Sequence, residues 1–249
     1  MYNEIASMYH LVYPDWDKAI EEQSSGLYEA ARKALGTPPI RALDVSCGIG
    51  TQALGLAGFG CAVAASDLST GAVARARREA KARGLNLKPV VADMRDCFEV
   101  HGGGFDLVLS ADNSIPHLQG AEQVRSALSA MYACLRPGGV ALIGVRDYKT
   151  DEKRSRGQVF AYGTRMHEGE RYVIFQTRDW EGDMYEVGMY FVREESDDAP
   201  AKVICGRSRY YAITVEHLFE LLREVGFQDV QRLDGVVHNV LLAGKKHRA

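Results

Sequence analysis

The stretch from Arg41 to Val145 constrains the fold more than any other part of the chain. Five short apolar runs alternate there with helical patterns: Arg41–Ser46, Cys61–Ser66, Leu87–Ala92, Phe105–Ser110 and Val140–Val145. Each is too short for a buried helix and is bounded by turn-forming residues, so each reads as a buried strand. Helices are expected between them: one from about Thr51, one from an N-cap at Ser69 to about Arg83 with Gly84 just beyond, and one from Ala121 to Leu135, stopped by Pro137-Gly138-Gly139. Strands joined through helices pair in parallel, and the helices then cover both faces of the sheet. The expected class is α/β, with a doubly wound, seven-stranded, mostly parallel sheet.

The flanks follow other periods. Ile5, Met8, Tyr9 and Val12 have roughly helical spacing, and a Pro14-Asp15 turn precedes a second helical pattern through Leu35, closed by Gly36 and Pro38-Pro39. Residues 1–36 read as an N-terminal helical lid. After Tyr148 the period becomes two: Tyr172–Arg178 and Met184–Val192 alternate on either side of a Glu181-Gly182-Asp183 turn. Residues 149–210 read as an antiparallel β insert of three or four strands that caps the sheet. The charge run Asp151–Arg156 is expected to face solvent. Helical pattern returns from Thr214, as N-cap, to Val225, with Gly226 as its stop, followed by strands Phe227–Leu233 and Val237–Gly244. No repeat or linker divides the chain, so residues 1–249 are expected to form one domain.

Composition removes several classes. Lys and Arg number 30 against 33 Asp and Glu, a net charge of −3, which offers no broad basic footprint for nucleic acid. No apolar run approaches the roughly 18 residues a membrane helix needs, and the acidic start has no basic region of a signal peptide. Five widely spaced cysteines without a C-x-x-C pair argue against a disulfide framework or zinc site and fit a reducing cytoplasm. Nothing fixes an oligomeric state, and a homo-oligomer stays open.

The richest stretch is Leu43–Thr51, where small residues follow a strand and precede a helix. Such a turn lets a ligand approach the backbone and presents free N–H groups. Asp67 ends the second run about 20 residues on, where an acid can bridge ribose hydroxyls. Asp93-Met94 follows the third run, Asp112-Asn113-Ser114 the fourth, and Leu135–Gly139 precedes the fifth. A nicotinamide site fits less well, because Asp44 would repel a pyrophosphate. Together these features resemble the class I S-adenosylmethionine-dependent methyltransferases, over about residues 2–148 and 210–244. The family pattern acid-x-Gly/Ala-x-Gly-x-Gly reads here as Asp44, Ser46, Gly48 and Gly50, with Ser46 departing from it. The resemblance implies that Asp44, Ser46, Cys47, Gly48 and Gly50 hold the methionine end of S-adenosylmethionine. It implies that Asp67 with Leu68 holds the ribose and Asp93 with Met94 the adenine. Ala111, Asn113 and His117 complete the cofactor site. The product is S-adenosylhomocysteine. Cys47 reads as a small packed residue, not a nucleophile. No metal is expected, since no second Asp-Asn pair follows the fifth strand to complete a site with Asp112-Asn113.

The Asn-Ser-x-x-His-Leu run, Asn113–Leu118, resembles the glycine and glycine/sarcosine N-methyltransferases, as do Val145–Tyr148 and Ser208–Tyr211. In those enzymes an arginine in the position of Arg146 grips the substrate carboxylate, a task suited to its bidentate fork. The resemblance makes Asn113, Arg146, Tyr148 and Tyr211 the expected acceptor-binding residues, and His117, Arg146 and Tyr9 the expected catalytic ones. Each has an ordinary alternative: His117 as a helix-capping histidine, Arg146 as the partner of Asp147. Tyr9, Tyr13 and Trp16 form either a cation–π lid over the sulfonium or plain aromatic packing. The expected reaction is in-line methyl transfer to a small-molecule amine, glycine, sarcosine or a related amino compound, by positioning and exclusion of water. Two rivals stand beside it: an O- or C-methyltransferase with His117 as base, and a non-catalytic S-adenosylmethionine sensor.

Overall fold

The computed structural model describes residues 1–149, 155–194 and 200–247. The chain opens with α1 (Tyr2–Ile5), a 3-10 turn at Tyr9–Val12 and α2 (Trp16–Leu35). The central part runs β1 (Arg41–Asp44), α3 (Thr51–Gly58), β2 (Ala62–Asp67), α4 (Thr70–Ala82), β3 (Val90–Val91), α5 (Cys97–His101), β4 (Phe105–Ser110), α6 (Ala121–Cys134) and β5 (Leu135–Val145). An antiparallel meander follows, β6 (Gln158–His167), β7 (Glu170–Glu181), β8 (Met184–Glu194) and β9 (Lys202–Tyr211). The chain then returns through α7 (Val215–Val225), β10 (Gln228–Leu233) and β11 (Val240–Lys245).

The main sheet has seven strands in the order β3-β2-β1-β4-β5-β11-β10, and the meander is a separate four-stranded sheet. β1 pairs in parallel with β2 and β4, β4 with β5, and only β11 runs against its neighbours β5 and β10. The ligand end is therefore where β1 and β2 hand over to α3 and α4 and where β4 turns away from them, the usual switch point of such sheets. Residues along the central strands alternate between two cores. Leu43, Val108, Ala141 and Ile143 pack toward α6 and α7, while Ala42, Leu107, Leu109 and Leu142 pack toward α2. The expected caps form: Ser69 accepts from the Ala72 N–H, Thr214 from the His217 N–H, and Gly36 closes α2 at φ 78°.

The N-terminal helix expected from residues 2 to 13 is instead broken into α1 and a 3-10 turn. Tertiary contacts override the local period. Asn3 Oδ1 accepts from the Ser69 and Thr70 hydroxyls and the Gly71 N–H, which ties the segment to the start of α4. Ile5, Met8 and Leu11 are buried against Tyr172, Ile174, Met189 and Phe191 of the meander. The expected strand Leu87–Ala92 shrinks to Val90–Val91, at the sheet edge where Pro89 has no N–H to pair. β5 begins earlier than expected, at Leu135, through an irregular pairing with β4. Of the charge run, Ser155 and Arg156 are exposed, and Asp151–Arg154 lie outside the described residues. No helix among the described residues is long and apolar enough to cross a membrane.

Candidate active site

Asp44 ends β1 in the core, 1% exposed. Its Oδ1 accepts from the Ser46 N–H at 3.1 Å, and its Oδ2 is buried without a partner among the described residues. Burial pushes this carboxyl up to about 7. The turn then closes on β2: the Cys47 N–H donates to the Ser66 carbonyl at 2.9 Å, and the Gly48 N–H to Asp67 Oδ2 at 2.9 Å. Asp67 Oδ1 accepts from the Ser69 N–H at 2.8 Å, so one carboxylate fastens the turn and the start of α4 together. Burial raises Asp67, and its two backbone donors oppose that rise. Gly48 sits at φ 53°, and a Cβ there would meet nothing within 4 Å. The glycine is needed for its backbone angle, and the space above it is open.

That space is a cavity of about 520 Å³. Ser46, Cys47, Gly48, Asp67, Leu68, Asp93, Met94 and His117 line it, with Tyr2, Tyr9 and Tyr13 of the N-terminal segment. The donor set suits an elongated nucleoside with a polar tail. The Ser46 hydroxyl, paired with the Ser110 hydroxyl at 3.0 Å, lies at the β1 turn, and an acid that ends β2 is placed for a diol. An apolar methionine follows β3. A second cavity of about 670 Å³ adjoins the first. Its walls include Asn113, Arg146, Tyr162, Gln176, Tyr185 and Tyr210, and Tyr2, Tyr9, Tyr13 and Asp112 belong to both cavities.

The loop after β4 organises this junction. Asp112 and Asn113 both adopt left-handed backbone angles, φ 54° and 64°. The Asn113 N–H donates to the Gly144 carbonyl at 3.2 Å, and Asn113 Oδ1 accepts from the Arg146 N–H at 2.8 Å. Asn113 Nδ2 donates to the Tyr148 hydroxyl, which contacts Tyr185 at 2.9 Å. Arg146 is thus fixed at its backbone, while its guanidinium Nη1 is buried without a partner among the described residues. Asp147 ion-pairs with Arg232 at 3.0 Å. His117 Nε2 lies 3.3 Å from the Tyr2 hydroxyl and Nδ1 lies 3.1 Å from Ser208 Oγ. Burial pushes its imidazole down to about 4.

Several expected residues stand elsewhere. Trp16 lines neither cavity: it is buried, its indole N–H donates to Thr51 Oγ1 at 2.9 Å, and it fastens α2 to α3. Asp44, Gly50 and Ala111 lie behind the cavity wall, and Asn113 lines the second cavity only. Tyr148 is fully buried behind Asn113. Tyr211 points toward His217, and its neighbour Tyr210 faces the cavity, because successive side chains of β9 alternate between faces. Tyr2, Tyr162, Tyr185 and Gln176 escaped the sequence reading, and Asp112 entered it only at the strand tip and as a weighed metal ligand. Asp112 carried a signal, an acid just before the Asn-Ser pair at a strand tip. The cap residues carried none, since alternation does not say which face is inward. Among the described residues no cluster of His, Cys, Asp and Glu could hold a metal ion.

Comparison with known proteins agrees with this geometry. Residues 42–139 match the family described as a methyltransferase domain. The glycine/sarcosine N-methyltransferase of Halorhodospira halochloris is 28% identical over 134 residues, 54% of this chain and 49% of that protein. The match therefore spans about half the length of that curated relative. An S-adenosylmethionine-dependent methyltransferase from Clostridium acetobutylicum superposes with a TM-score of 0.79 over 99% of both chains, at 17% identity. S-adenosylmethionine-bound CalS10, an amino pentose methyltransferase from Micromonospora echinaspora, gives 0.76 over 91% of each chain, at 20% identity. The structural likenesses show that the chain has the class I methyltransferase fold, and the sequence match places a methyltransferase domain over residues 42–139.

Proposed function

We propose that this chain transfers the methyl group of S-adenosylmethionine to the amine of a small molecule that also carries an anionic group. The observation that carries this reading is Arg146: a buried, unpartnered guanidinium nitrogen on the wall of a cavity that adjoins the cofactor cavity. A buried donor left unpaired is costly, and an anionic ligand offsets that cost. Glycine or sarcosine is the acceptor class suggested by the name of the curated relative, and an amino sugar is the class suggested by CalS10. The acceptor cavity, about 670 Å³, falls within the roughly 300–1,000 Å³ that suits drug-sized ligands, which supports an acceptor larger than glycine.

In this reading Ser46, Cys47 and Gly48 hold the methionine end, Asp67 and Leu68 the ribose, and Asp93 with Met94 the adenine. S-adenosylmethionine supplies a methyl group made electrophilic by its sulfonium. The protein holds the acceptor nitrogen in line with that methyl group and excludes water behind the tyrosine wall, with Tyr9 presenting its ring to the charge. Asn113 fixes the backbone of Arg146, and Arg146 orients the acceptor. His117 as a base for O-methylation has less support, since both ring nitrogens are engaged and it lines only the cofactor cavity.

The test is a methyl-transfer screen that detects S-adenosylhomocysteine. Glycine, sarcosine, dimethylglycine and glucosamine 6-phosphate are compared with a panel of phenols. Release with an anionic amine is the expected result. Release only with phenols sinks the amine reading, and cofactor binding with no release supports the sensor.

His117 gives a second expected outcome. The folded chain resists a proton down to about pH 4, whereas an unfolded histidine accepts one near 6.5. The unfolded state therefore binds more protons in that window, and the histidine's contribution to stability falls as pH drops through it. His117→Gln removes this part of the slope. Denaturant midpoints of both proteins at pH 7 and pH 5 check it, and equal slopes count against a neutral buried His117.

A further inference from the structure

Asp112 has an environment that its structural contacts do not account for. Among the described residues it is the only carboxylate that lines both cavities. Its Oδ2 accepts from the Tyr13 hydroxyl at 3.0 Å, and its Oδ1 accepts from Asn239 Nδ2 at 3.3 Å. Both donors are neutral, and the described residues provide no ion pair to balance the charge. The residue sits at φ 54° directly before Asn113 at φ 64°, a pair of angles that costs free energy for side chains bearing a Cβ. Packing enforces this conformation: Gly144 of β5 passes so close that a Cβ there would stand 3.1 Å from the Asp112 nitrogen. Backbone strain held by its surroundings concentrates where a side chain must be aimed.

The walls around this carboxylate are aromatic. Tyr2, Tyr9 and Tyr13 share both cavities with it, and Tyr162 and Tyr210 belong to the acceptor side. Burial first, and then the Asp112 charge, holds the Tyr9 and Tyr13 phenols well above their usual range, so they stay neutral rings. A lone carboxylate among tyrosine faces attracts an organic cation twice, through its charge and through the rings. It stands where the methyl donor and the acceptor must meet, and Arg146 lies on the wall of the same acceptor cavity with the opposite charge.

We infer that Asp112 is the amine-receiving residue: it binds and orients the amino group of the acceptor at the junction of the two cavities, as the ammonium on arrival and, once that ammonium has given a proton to solvent, as the neutral nucleophile, while Arg146 takes the anionic group. The acceptor is thereby a zwitterion or an amino sugar phosphate, read at both ends. This inference rests on the amine reading proposed above and adds the residue that selects the amine.

The experiment measures binding by calorimetry to the protein loaded with S-adenosylhomocysteine, whose sulfur is uncharged. The probes are two matched pairs, glycine against glycolate and glucosamine 6-phosphate against glucose 6-phosphate. The variant is Asp112→Asn. Asparagine tolerates the left-handed backbone angle and keeps an oxygen for the Tyr13 hydroxyl, and its new NH2 requires only that the Asn239 amide turn its oxygen toward it, so the fold is kept while the charge is removed. The wild type is expected to prefer the ammonium member of at least one pair by about tenfold or more, the factor expected of a charge-assisted hydrogen bond. Asp112→Asn is expected to abolish that preference with an unchanged thermal midpoint, both proteins being measured saturated with S-adenosylhomocysteine. A preference that survives in Asp112→Asn, or its absence in the wild type, overturns the inference. Failure of the amine reading has a separate signature, release of S-adenosylhomocysteine by the wild type with phenols only.

Discussion

Replacing Arg146 with alanine is expected to raise the KM for an anionic amine about a hundredfold, from loss of about 3 kcal/mol of charge-assisted hydrogen bonding. The kcat should fall far less, because the guanidinium holds a part of the acceptor remote from the reacting nitrogen. Arg146→Lys keeps the charge and loses the planar fork, so an intermediate KM is expected. Affinity for S-adenosylhomocysteine should stay unchanged in both variants, since Arg146 lines only the acceptor cavity. Steady-state kinetics with any acceptor found in the screen check this, and an unchanged KM in the alanine variant rules out the anchoring role.

Gly55→Ala is expected to be the most damaging small substitution in the helical layer. α3 crosses α2 so closely that a Cβ at Gly55 would stand 1.9 Å from Ser24 Oγ and 2.9 Å from the Ile20 carbonyl oxygen. Ser24 is fully buried, so it has little room to retreat. Overpacking of this kind costs about 3 kcal/mol, and at roughly 2–4 °C per kcal/mol the melting temperature should fall by about 10 °C. The damage reaches the site, because α3 begins directly after the β1 turn: displacing it moves Ser46–Gly50 and weakens cofactor binding. Gly58→Ala serves as the control. Nothing lies within 4 Å of its Cβ, and alanine is the better helix former, so stability should hold or rise slightly. Thermal melts and a cofactor titration of the two variants decide between them, and equal midpoints contradict the close crossing.

The two halves of the site differ in how far the chain's own pattern announces them. The cofactor half is local: Ser46, Gly48 and Asp67 follow strands in a sheet whose period and order are written in buried apolar runs, and their partners are a few residues away or on the next strand. The acceptor half is assembled from remote segments. Whether Tyr210 or Tyr211 faces the cavity depends on the phase of β9 against β8, which a period of two leaves undetermined. Tyr9, Tyr13 and Trp16 read alike in the sequence. Only the docking of α2 on α3 sends Trp16 into the core and leaves the two tyrosines on the wall. The break in the N-terminal helix has the same origin, since Asn3 is claimed by α4 and Met8 by the meander.

The wall shared by the two cavities makes each ligand an effector of the other. Tyr2, Tyr9, Tyr13 and Asp112 line both cavities, so any shift of theirs against the cofactor changes what the acceptor meets. Thermodynamic linkage then requires reciprocity: the factor by which S-adenosylhomocysteine changes acceptor affinity equals the factor by which the acceptor changes the affinity for S-adenosylhomocysteine. An acceptor that shifts this wall would then alter how tightly the spent cofactor is retained, and product inhibition would become a function of acceptor supply.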